Sequence, residues 1–368
     1  MKAVTVSPAA RVITVRDHPE PKLRSPIDVL MRTLDVGICG TDYEIGSFTY
    51  GTPPAGDDYL VIGHEAFGRV IEVGSAVARI KAGDFVVPMV RRPCPHESCA
   101  PCRAGRQDFC VTGDFTERGI KGAHGYMTER VVDHERYFLP VPPGLRQAGV
   151  LIEPLTIAEK ALEQARAVET RLPEAARHSH AQPKNAVVLG AGPVGLLGAM
   201  LLTISGYRVC VYSKSLSDVA RASILQDLGA TPIPAETHSV EHLAEAAGDI
   251  DLVYEAVGAA PLSFEVIKFL GVNGAFVFTG VPGRKAPVRL DTDRIMRHLV
   301  LRNQVLLGSV NAGRGSYENA IKDLATFMQR WPDAVRAMIT SRSDLDTAPD
   351  LIAHRAAGIK SVVSPQAR

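Results

Sequence analysis

Residues 185–195 read NAVVLGAGPVG, a short apolar run that ends in the glycine pattern G-x-G-x-x-G. The pattern predicts a strand over residues 186–189 and a helix over residues 193–205, with the glycines in the turn between them. In such a turn Gly190 allows a sharp bend, Gly192 lets the backbone approach a pyrophosphate, and Gly195 lets the helix pack closely on the strand. The helix start also favours phosphate. The segment therefore predicts dinucleotide binding, with S-adenosylmethionine as the main alternative ligand.

The sequence after this turn alternates strands with helices. A second strand is predicted at residues 207–212, and further strands at residues 252–256, 275–279 and 305–307. Because each strand is followed by a helical stretch, the segment predicts an α/β domain with a doubly wound parallel sheet of the Rossmann type.

The first 150 residues have a different texture, with short alternating runs such as residues 68–73 and 84–88 between turn residues. This texture is typical of an antiparallel barrel or sandwich. A helix over residues 154–168 follows, and the polar residues 171–184, which carry prolines at both ends, predict a connecting loop. The tail is helical around residues 317–328. The predicted domains are a mainly β catalytic domain of residues 1–183, a nucleotide-binding domain of residues 184–309 and a return to the first domain over residues 310–368.

The composition excludes several classes of protein. The chain has 368 residues, 46% hydrophobic and 22% charged, as in a globular protein of roughly two domains. Its formal net charge of +1 provides no overall field for nucleic acid or anionic lipid, so neither is expected as a partner. The longest apolar stretch, residues 194–204, is shorter than the ~20 residues that span a bilayer, and the first residues lack a signal-peptide pattern. We therefore expect a cytoplasmic protein.

Four of the six cysteines lie close together, in the spacing C-x4-C-x2-C-x7-C. They are Cys94, Cys99, Cys102 and Cys110. In a reducing compartment, closely spaced thiols are more often metal ligands than disulfides, and four thiolates complete the tetrahedral shell of zinc. The spacing predicts a structural zinc lobe over residues 91–112, with free thiols, a redox pair or a macromolecular adaptor as alternatives. His96 lies in the first gap, either as a substitute ligand or as a solvent-exposed loop residue.

A second group of metal-ligating residue types is spread along the chain. Cys39 stands in GICGTD (37–42), His64 and Glu65 stand in GHEAFG (63–68), and Glu153 precedes a proline. A thiolate, an imidazole and a carboxylate together form an open zinc shell that leaves one position for water or substrate. Each residue also has an ordinary structural explanation, because Cys39 suits a core, His64 a satisfied polar site, and Glu153 a helix start.

The residues after the second predicted strand bear on the choice of cofactor. An acidic side chain ~20 residues after the first glycine would bind the ribose hydroxyls of NAD, but residues 211–215 read VYSKS. Hydroxyls and a cation suit the 2′-phosphate of NADP, so NADP is favoured. If Lys214 is only a surface lysine, both NADP and NAD would be used. The expected cofactor contacts are Gly190, Gly192, Pro193, Val194, Gly195, Ser213, Lys214 and Thr279.

The motifs GICGTD and GHEAFG, the four-cysteine segment and GAGPVG, in this order along the whole chain, resemble the zinc-dependent medium-chain dehydrogenases. Within that superfamily the chain is more similar to the glucose dehydrogenase branch of archaea and some bacteria. The narrower resemblance is carried by the segments RR (91–92), GRQDFC (105–110), TGDFTERGI (112–120), EPLT (153–156) and GSVN (308–311). One departure is Val90, where some relatives have an asparagine for the sugar, and another is the longer first gap between cysteines.

The resemblance implies a GroES-like catalytic domain in addition to the Rossmann domain, and two zinc ions per chain. Cys39, His64 and Glu153 would surround the catalytic zinc, with Glu65 as an alternative ligand, and the four clustered cysteines would hold the structural zinc. The residues implied in binding sugar hydroxyls are Thr41, Glu117, Glu153 and Asn311. Thr41 would also accept the proton of the substrate hydroxyl. For Glu117 the alternative is an ion pair with Arg118 or Arg130.

The reaction that the resemblance implies is the NADP-dependent oxidation of an aldose at C1, from D-glucose to glucono-1,5-lactone, by zinc-assisted hydride transfer. The alternatives are a polyol, alcohol or threonine dehydrogenase of the same fold, and a non-catalytic zinc and nucleotide binder. The resemblance also implies a homo-oligomer, either a dimer or a tetramer.

Overall fold

The computed structural model describes residues 1–174, 183–283 and 287–365. Their contacts divide the chain into two compact units. The first comprises Met1–Thr156, Asn311–Met328 and Met338–Arg368, and the second comprises Ile157–Val310 and Gln329–Ala337. The predicted loop at 171–184 lies partly outside the described residues, because residues 175–182 are not among them.

The secondary structure follows the chain in this order. The strands are β1 (Lys2–Ser7), β2 (Val12–Asp17), β3 (Asp28–Gly37), β4 (Leu60–Val61), β5 (Glu65–Val73), β6 (Phe85–Pro88), β7 (Arg91–Arg92), β8 (Thr116–Arg118), β9 (Gly122–Ala123), β10 (Arg130–His134), β11 (Phe138–Val141), β12 (Asn185–Leu189), β13 (Arg208–Ser213), β14 (Thr231–Pro234), β15 (Ile250–Glu255), β16 (Leu270–Phe278), β17 (Val305–Gly308), β18 (Ile339–Ser343) and β19 (Lys360–Val363). The helices are α1 (Gly40–Gly46), α2 (Ala100–Arg103), α3 (Ile152–Glu169), α4 (Pro193–Ile204), α5 (Val219–Leu228), α6 (Val240–Ala247), α7 (Ala260–Val266), α8 (Thr292–Leu301), α9 (Arg314–Arg330), α10 (Pro332–Ala337) and α11 (Ala348–His354).

The first unit is built on mainly antiparallel sheets. Its largest sheet has the strand order β11-β6-β5-β3-β19-β18, and β10 also pairs with β3. Strands β2, β1 and β4 form a second sheet, and β7, β8 and β9 form a third. The alternating runs at residues 68–73 and 84–88 fall in β5 and β6, which confirms the predicted antiparallel texture. Alternation along the first part of β3 places one face of the sheet in the core, where Val29 and Met31 are fully buried.

The end of the chain returns to the first unit and completes its central sheet. Strand β19 lies antiparallel to β3, with Val362 opposite Gly37 and Val363 opposite Val36. The predicted helix at residues 317–328 is α9, and most of it belongs to this unit. Because β19 pairs with the end of β3, Lys360 is brought close to the loop that carries Cys39.

The second unit contains a six-stranded parallel sheet with the order β14-β13-β12-β15-β16-β17. All five strands that the sequence predicts are present, within a few residues of their predicted bounds. The order reverses at β12, because β13 lies on one side of it and β15 on the other. The predicted fold class, a doubly wound parallel sheet with a second mainly β domain, is confirmed. Strand β14 was not predicted, since a TPIP edge segment has too little apolar periodicity to read as a strand.

None of the described helices combines the length and apolar character that crossing a bilayer requires.

Candidate active site and cofactor sites

Cys39 is held at the start of α1 by a local hydrogen-bond pattern. Its Sγ accepts from the backbone N–H of Thr41 at 3.2 Å, and its own N–H donates to Oδ2 of Asp42 at 2.9 Å. These reciprocal bonds form a capping box, in which the cysteine takes the place that serine or threonine usually has. The sequence Cys-Gly-Thr-Asp therefore fixes the thiol at a helix start.

His64 and Glu65 converge on this thiol. The Nε2 atom of His64 lies 3.0 Å from Sγ of Cys39, and one ligand atom from each of Cys39, His64 and Glu65 lies within 4.8 Å of the others. Nδ1 of His64 lies 3.6 Å from Oδ1 of Asp42, and neither atom has a hydrogen-bond partner within the part of the chain that the structure describes. A soft thiolate, an imidazole and a carboxylate in this arrangement fit a zinc ion, and Asp42 is placed to orient the imidazole from behind.

The electrostatics of this group come from burial and from mutual contact. Burial opposes a charged His64, but the Cys39 thiolate and the Asp42 carboxylate outweigh it and raise the pKa of His64 well above its usual value. For Glu153, at the start of α3, burial is the main cause that raises its pKa to about 8, and Glu65 adds to the effect while His64 opposes it. Glu153 thus interacts electrostatically with this group. Its carboxylate does not belong to the cluster of ligand atoms within 4.8 Å, which Cys39, His64 and Glu65 form.

A buried lysine that the sequence analysis did not single out holds Glu65. Nζ of Lys360 donates to the Glu65 carboxylate at 2.8 Å and to the carbonyl oxygen of Ile38 at 3.1 Å. Lys360 is 1% exposed and Glu65 is 2% exposed, so the ion pair is shielded from water. Glu65 could join a metal shell as an alternative ligand only by weakening this pair. No local pattern could have revealed Lys360, because it lies 295 positions from Glu65.

Two of the residues expected to bind sugar are in direct contact. Nδ2 of Asn311 donates to Oε1 of Glu117 at 2.9 Å. The ion pair of Glu117 is with Arg91 at 2.9 Å. It is not with Arg118 or Arg130, which pair instead with Asp133 and Glu20. Thr41 lies in the first turn of α1, half-buried, with its backbone N–H bonded to Cys39.

The four clustered cysteines converge. One sulfur from each of Cys94, Cys99, Cys102 and Cys110 lies within 4.8 Å of the others, around α2. Burial raises the pKa of the Cys110 thiol, but hydrogen bonds from Thr112 and its neighbours outweigh burial and lower it to about 6. Four sulfurs this close together fit a closed zinc site. His96 is not part of the cluster, and it hydrogen-bonds the exposed Asp114.

The glycine turn of the second unit has the geometry that a pyrophosphate site requires. Gly190 has a φ of +101°, which side-chain-bearing residues rarely adopt. A Cβ on Gly195 would collide with the carbonyl oxygen of Gly190, so α4 packs closely on β12 only with glycine there. A Cβ on Gly192 would meet nothing within 4 Å, so the space beside it is open to a ligand. Pro193 and Val194 form the first turn of α4. The turn therefore fits the diphosphate of a dinucleotide.

The residues around this turn are ordered by hydrogen bonds. Oγ of Ser213 lies 3.1 Å from Oγ of Ser215, just after β13, and Lys214 between them is exposed. Oγ1 of Thr279 donates to the carbonyl oxygen of Glu255 at 2.6 Å, after β16. Sequence reasoning missed Arg221, whose Nε donates to the carbonyl oxygen of Ala191 at 3.0 Å inside the glycine turn. Arg221 lies in α5, where it also pairs with Asp218 at 2.8 Å.

The chain is similar to known glucose dehydrogenases in sequence and in structure. Residues 146–364 match the family model "Glucose dehydrogenase C-terminus", and residues 25–143 match "Alcohol dehydrogenase GroES-like domain". The glucose 1-dehydrogenase of Methanocella arvoryzae is 36% identical over 95% of both chains, and that of Metallosphaera sedula is 35% identical over 100% of this chain and 99% of its own. The chain belongs to the glucose dehydrogenase family of zinc-dependent medium-chain dehydrogenases. Both the superfamily and the branch that the sequence motifs indicated are thus confirmed.

The solved structures of this family agree with the fold. Haloferax mediterranei glucose dehydrogenase, in complex with NADP, zinc and gluconolactone, superposes with a TM-score of 0.88 at 31% identity over 100% of both chains. The galactitol-1-phosphate dehydrogenase of Escherichia coli has a TM-score of 0.79 at 18% identity, which shows the shared fold alone. We therefore expect this chain to differ from the galactitol-1-phosphate dehydrogenase in the residues that contact substrate. We expect no difference in architecture.

Replacing single cysteines should separate the two expected zinc sites. The purified protein is expected to hold about two zinc ions per chain. Cys39→Ala should lose one of them with little change in melting temperature, because an open site adds little to folding. Cys99→Ala should lose the other and unfold at a clearly lower temperature, because closed thiolate sites contribute folding free energy. Elemental analysis of zinc and thermal unfolding measure both effects.

The sixth cysteine provides the matched control for this experiment. Cys210 is buried in β13, apart from both clusters, so Cys210→Ala should keep two zinc ions. If Cys39→Ala also keeps two, the ligand set proposed from Cys39, His64 and the acidic residues is wrong.

Proposed function

We propose that this protein oxidises an aldose at C1 with NADP, and that its main substrate is D-glucose, which becomes glucono-1,5-lactone. The observation that carries the proposal is the match over both full lengths to a structure that holds NADP, zinc and gluconolactone. The contact between Glu117 and Asn311 supports a polyhydroxy substrate, because a carboxylate and an amide together suit neighbouring hydroxyls. The protein is a zinc-dependent NAD(P) oxidoreductase, with zinc and NADP as its cofactors.

Cys39, His64 and Glu153 would hold the catalytic zinc ion, with Glu65 as an alternative ligand. Cys94, Cys99, Cys102 and Cys110 would hold the structural ion. When bound, zinc acts as a Lewis acid that lowers the pKa of a hydroxyl, and NADP accepts the hydride from C1. The Asp42 carboxylate lies 3.6 Å from Nδ1 of His64, so it keeps the imidazole oriented with Nε2 toward Cys39.

The chain's own residues then move the proton and bind the sugar. Thr41 accepts the proton of the C1 hydroxyl on Oγ1 while its own hydroxyl proton passes to solvent, and the capping bonds at Cys39 keep the backbone of this threonine in place. Glu117 and Asn311 bind ring hydroxyls other than the one at C1. A sugar that lacks such a hydroxyl would leave a buried polar group unpaired, which costs about 1–3 kcal/mol. We place substrate selectivity at this pair.

The cofactor would lie on the glycine turn of the second unit. Gly190, Gly192, Pro193, Val194 and Gly195 would bind the diphosphate through backbone N–H groups. Ser213 and Lys214 would bind the 2′-phosphate, and Thr279 would lie near the nicotinamide end, after the strand β16. Because the residues directly after β13, Lys214 and Ser215, are not acidic, NADP is favoured and NAD remains usable. As domains we propose residues 1–183 with 310–368 for catalysis, and residues 184–309 for the nucleotide.

We further propose a homo-oligomer, a dimer or a tetramer, that uses the β17 edge of the parallel sheet. β17 pairs with β16 on one side, and among the described residues its other side has no strand partner. The neighbouring helix α8 carries Met296, Val300 and Leu301, each more than 60% exposed. Exposed apolar side chains next to an open sheet edge are typical of an association surface.

A cytoplasmic location is supported by the six free cysteines.

A sugar and alcohol panel tests the proposed reaction. Initial rates of NADPH formation should be highest with D-glucose, with galactose or xylose as slower substrates, and lower with NAD in place of NADP. Polyols, secondary alcohols and threonine should give rates near background. Reduction only with a polyol, alcohol or threonine would show that the fold serves another substrate, and no reduction with any of them would leave a non-catalytic binder.

Replacing Lys214 tests the cofactor preference. Lys214→Ala should raise the KM for NADP about tenfold and leave the KM for NAD unchanged, because only NADP carries the phosphate that the ammonium pairs with. Steady-state kinetics with each cofactor measure the effect. Lys322→Ala, which removes an exposed lysine from α9, is the matched control. Equal changes for NADP and NAD would argue against a phosphate contact.

A charge placed on α8 tests the proposed association surface. Val300→Asp should convert the oligomer to a smaller species, because an aspartate cannot be buried unpaired in an apolar interface. Light scattering after size exclusion measures the mass. Val219→Asp, at an 83% exposed valine of α5, should keep the wild-type mass. A wild-type monomer, or a Val300→Asp protein of unchanged mass, would contradict the proposed surface.

A further inference from the structure

Arg91 is buried beside the carboxylate that is expected to contact the sugar. It lies in β7, where the backbone register places it opposite Glu117 of β8. Its Nε lies 3.0 Å and its Nη2 2.9 Å from Oε1 of Glu117. Both residues are 6% exposed, so the pair is well shielded from water. Two donors of one guanidinium therefore converge on a single oxygen of this carboxylate.

All the donors to the Glu117 carboxylate among the described residues reach that same oxygen. Asn311 adds a second hydrogen bond to Oε1 from its Nδ2, at 2.9 Å, beside the ion-pair contact of Nη2 of Arg91. Oε2 receives no hydrogen bond from any described residue, yet it is not among the buried unpaired atoms, so it retains access to solvent. A carboxylate has lone pairs on both oxygens. Here one oxygen is saturated by the protein and the other is left for a donor from outside.

The guanidinium of Arg91 is itself held in place by the four-cysteine segment. Its carbon lies 3.7 Å from the centre of the Phe115 ring, and Nη1 donates to the carbonyl oxygen of Asp108 at 3.4 Å. Nε2 of Gln107 donates to the carbonyl oxygen of Arg91 at 3.3 Å. Gln107 and Asp108 lie between the third and fourth clustered cysteines. The segment therefore fixes the arginine, and the arginine fixes the carboxylate.

We propose that Arg91 is a positioning residue for sugar recognition, which saturates Oε1 of Glu117 and reserves Oε2 for hydroxyls of the aldose ring. This inference rests on the proposed function, because it takes Glu117 to be a sugar contact. Arg91 does not touch the reacting carbon. It sets the orientation of the carboxylate that recognises the sugar, through a planar fork that lysine cannot reproduce. The same contacts give the four-cysteine segment a role in substrate affinity as well as in stability.

Arg91→Lys tests the proposal, with Arg92→Lys as its matched control. Lysine keeps the charge but loses the fork, so Glu117 should become free to rotate. We expect the KM for glucose to rise about tenfold, kcat to change less than about twofold, and the KM for NADP to stay the same. The neighbouring Arg92 is buried in a comparable way but pairs with Asp133 and Tyr126. Arg92→Lys should lower the melting temperature without raising the KM for glucose.

Two further measurements do not depend on turnover. Calorimetric titration of glucose into enzyme saturated with NADPH reports binding alone, because no hydride acceptor is present, and Arg91→Lys should weaken it by a factor similar to the rise in KM. In the same titration, wild-type enzyme should bind 2-deoxyglucose or 3-deoxyglucose more weakly than glucose. In Arg91→Lys this difference in affinity should be smaller. If Arg91→Lys does not fold, Phe115→Leu removes only the ring beneath the guanidinium and should raise the KM for glucose by a smaller factor.

The outcomes separate this inference from the proposed function. If the wild-type enzyme oxidises no aldose, the proposed function is wrong and the inference is overturned with it. If it oxidises glucose but Arg91→Lys affects glucose no more than Arg92→Lys does, only the inference is overturned. Only the inference is also overturned if Arg91→Lys raises the KM for NADP and the KM for glucose by the same factor. A selective loss of glucose affinity in Arg91→Lys, absent from the control, supports it.

Discussion

The first unit depends on a group of charges that is buried and must still be balanced. The ionisable members of the group are Cys39, Asp42, His64, Glu65, Glu153 and Lys360. Acids outnumber bases in this group, and burial makes each unbalanced charge expensive. Burial therefore raises the pKa values of Asp42 and Glu153, whereas the neighbouring Cys39 thiolate and Asp42 carboxylate raise that of His64. Each of these shifts favours the form that holds a proton. A divalent cation at the same place would replace those protons and let the ligands ionise, which is the usual coupling between metal binding and ligand pKa.

The group is assembled by two kinds of contact. Local contacts place the thiol, because the capping box at residues 39–42 needs only consecutive residues. Long-range contacts place everything else, and β19 contributes most by bringing Lys360 to Glu65 from the far end of the chain. The capping box can form as soon as α1 does. The ion pair between Lys360 and Glu65 requires β19 to pair with β3. It can therefore form only after the chain has passed through the second unit and returned to the first.

This division explains how much could be read from the sequence. The glycine turn, the parallel strands and the two sets of metal-ligating residue types are local patterns, and the fold they predicted is the one observed. Strand β14 was missed because two prolines mask its periodicity. Lys360 and the Arg91–Glu117 pair were missed because their partners are distant in sequence, and a lysine or arginine in isolation reads as a surface residue. For Glu117 the sequence suggested Arg118 or Arg130 as the alternative ion-pair partner. The sheet register instead places Arg91 opposite it.

The two neighbouring arginines of β7 show how stability and recognition differ in their hydrogen bonds. Arg92 and Arg118 both bond to Asp133, and burial is outweighed by these two cations, so the pKa of Asp133 is lowered to about 2. That network is closed within the protein. Burying an ion pair costs desolvation, and hydrophobic residues of the same volume often serve stability better. The pair of Arg91 and Glu117 bears this cost and still leaves one carboxylate oxygen without a protein donor. That oxygen retains access to solvent, so a donor from outside the protein can reach it while the rest of the carboxylate is held by Arg91 and Asn311.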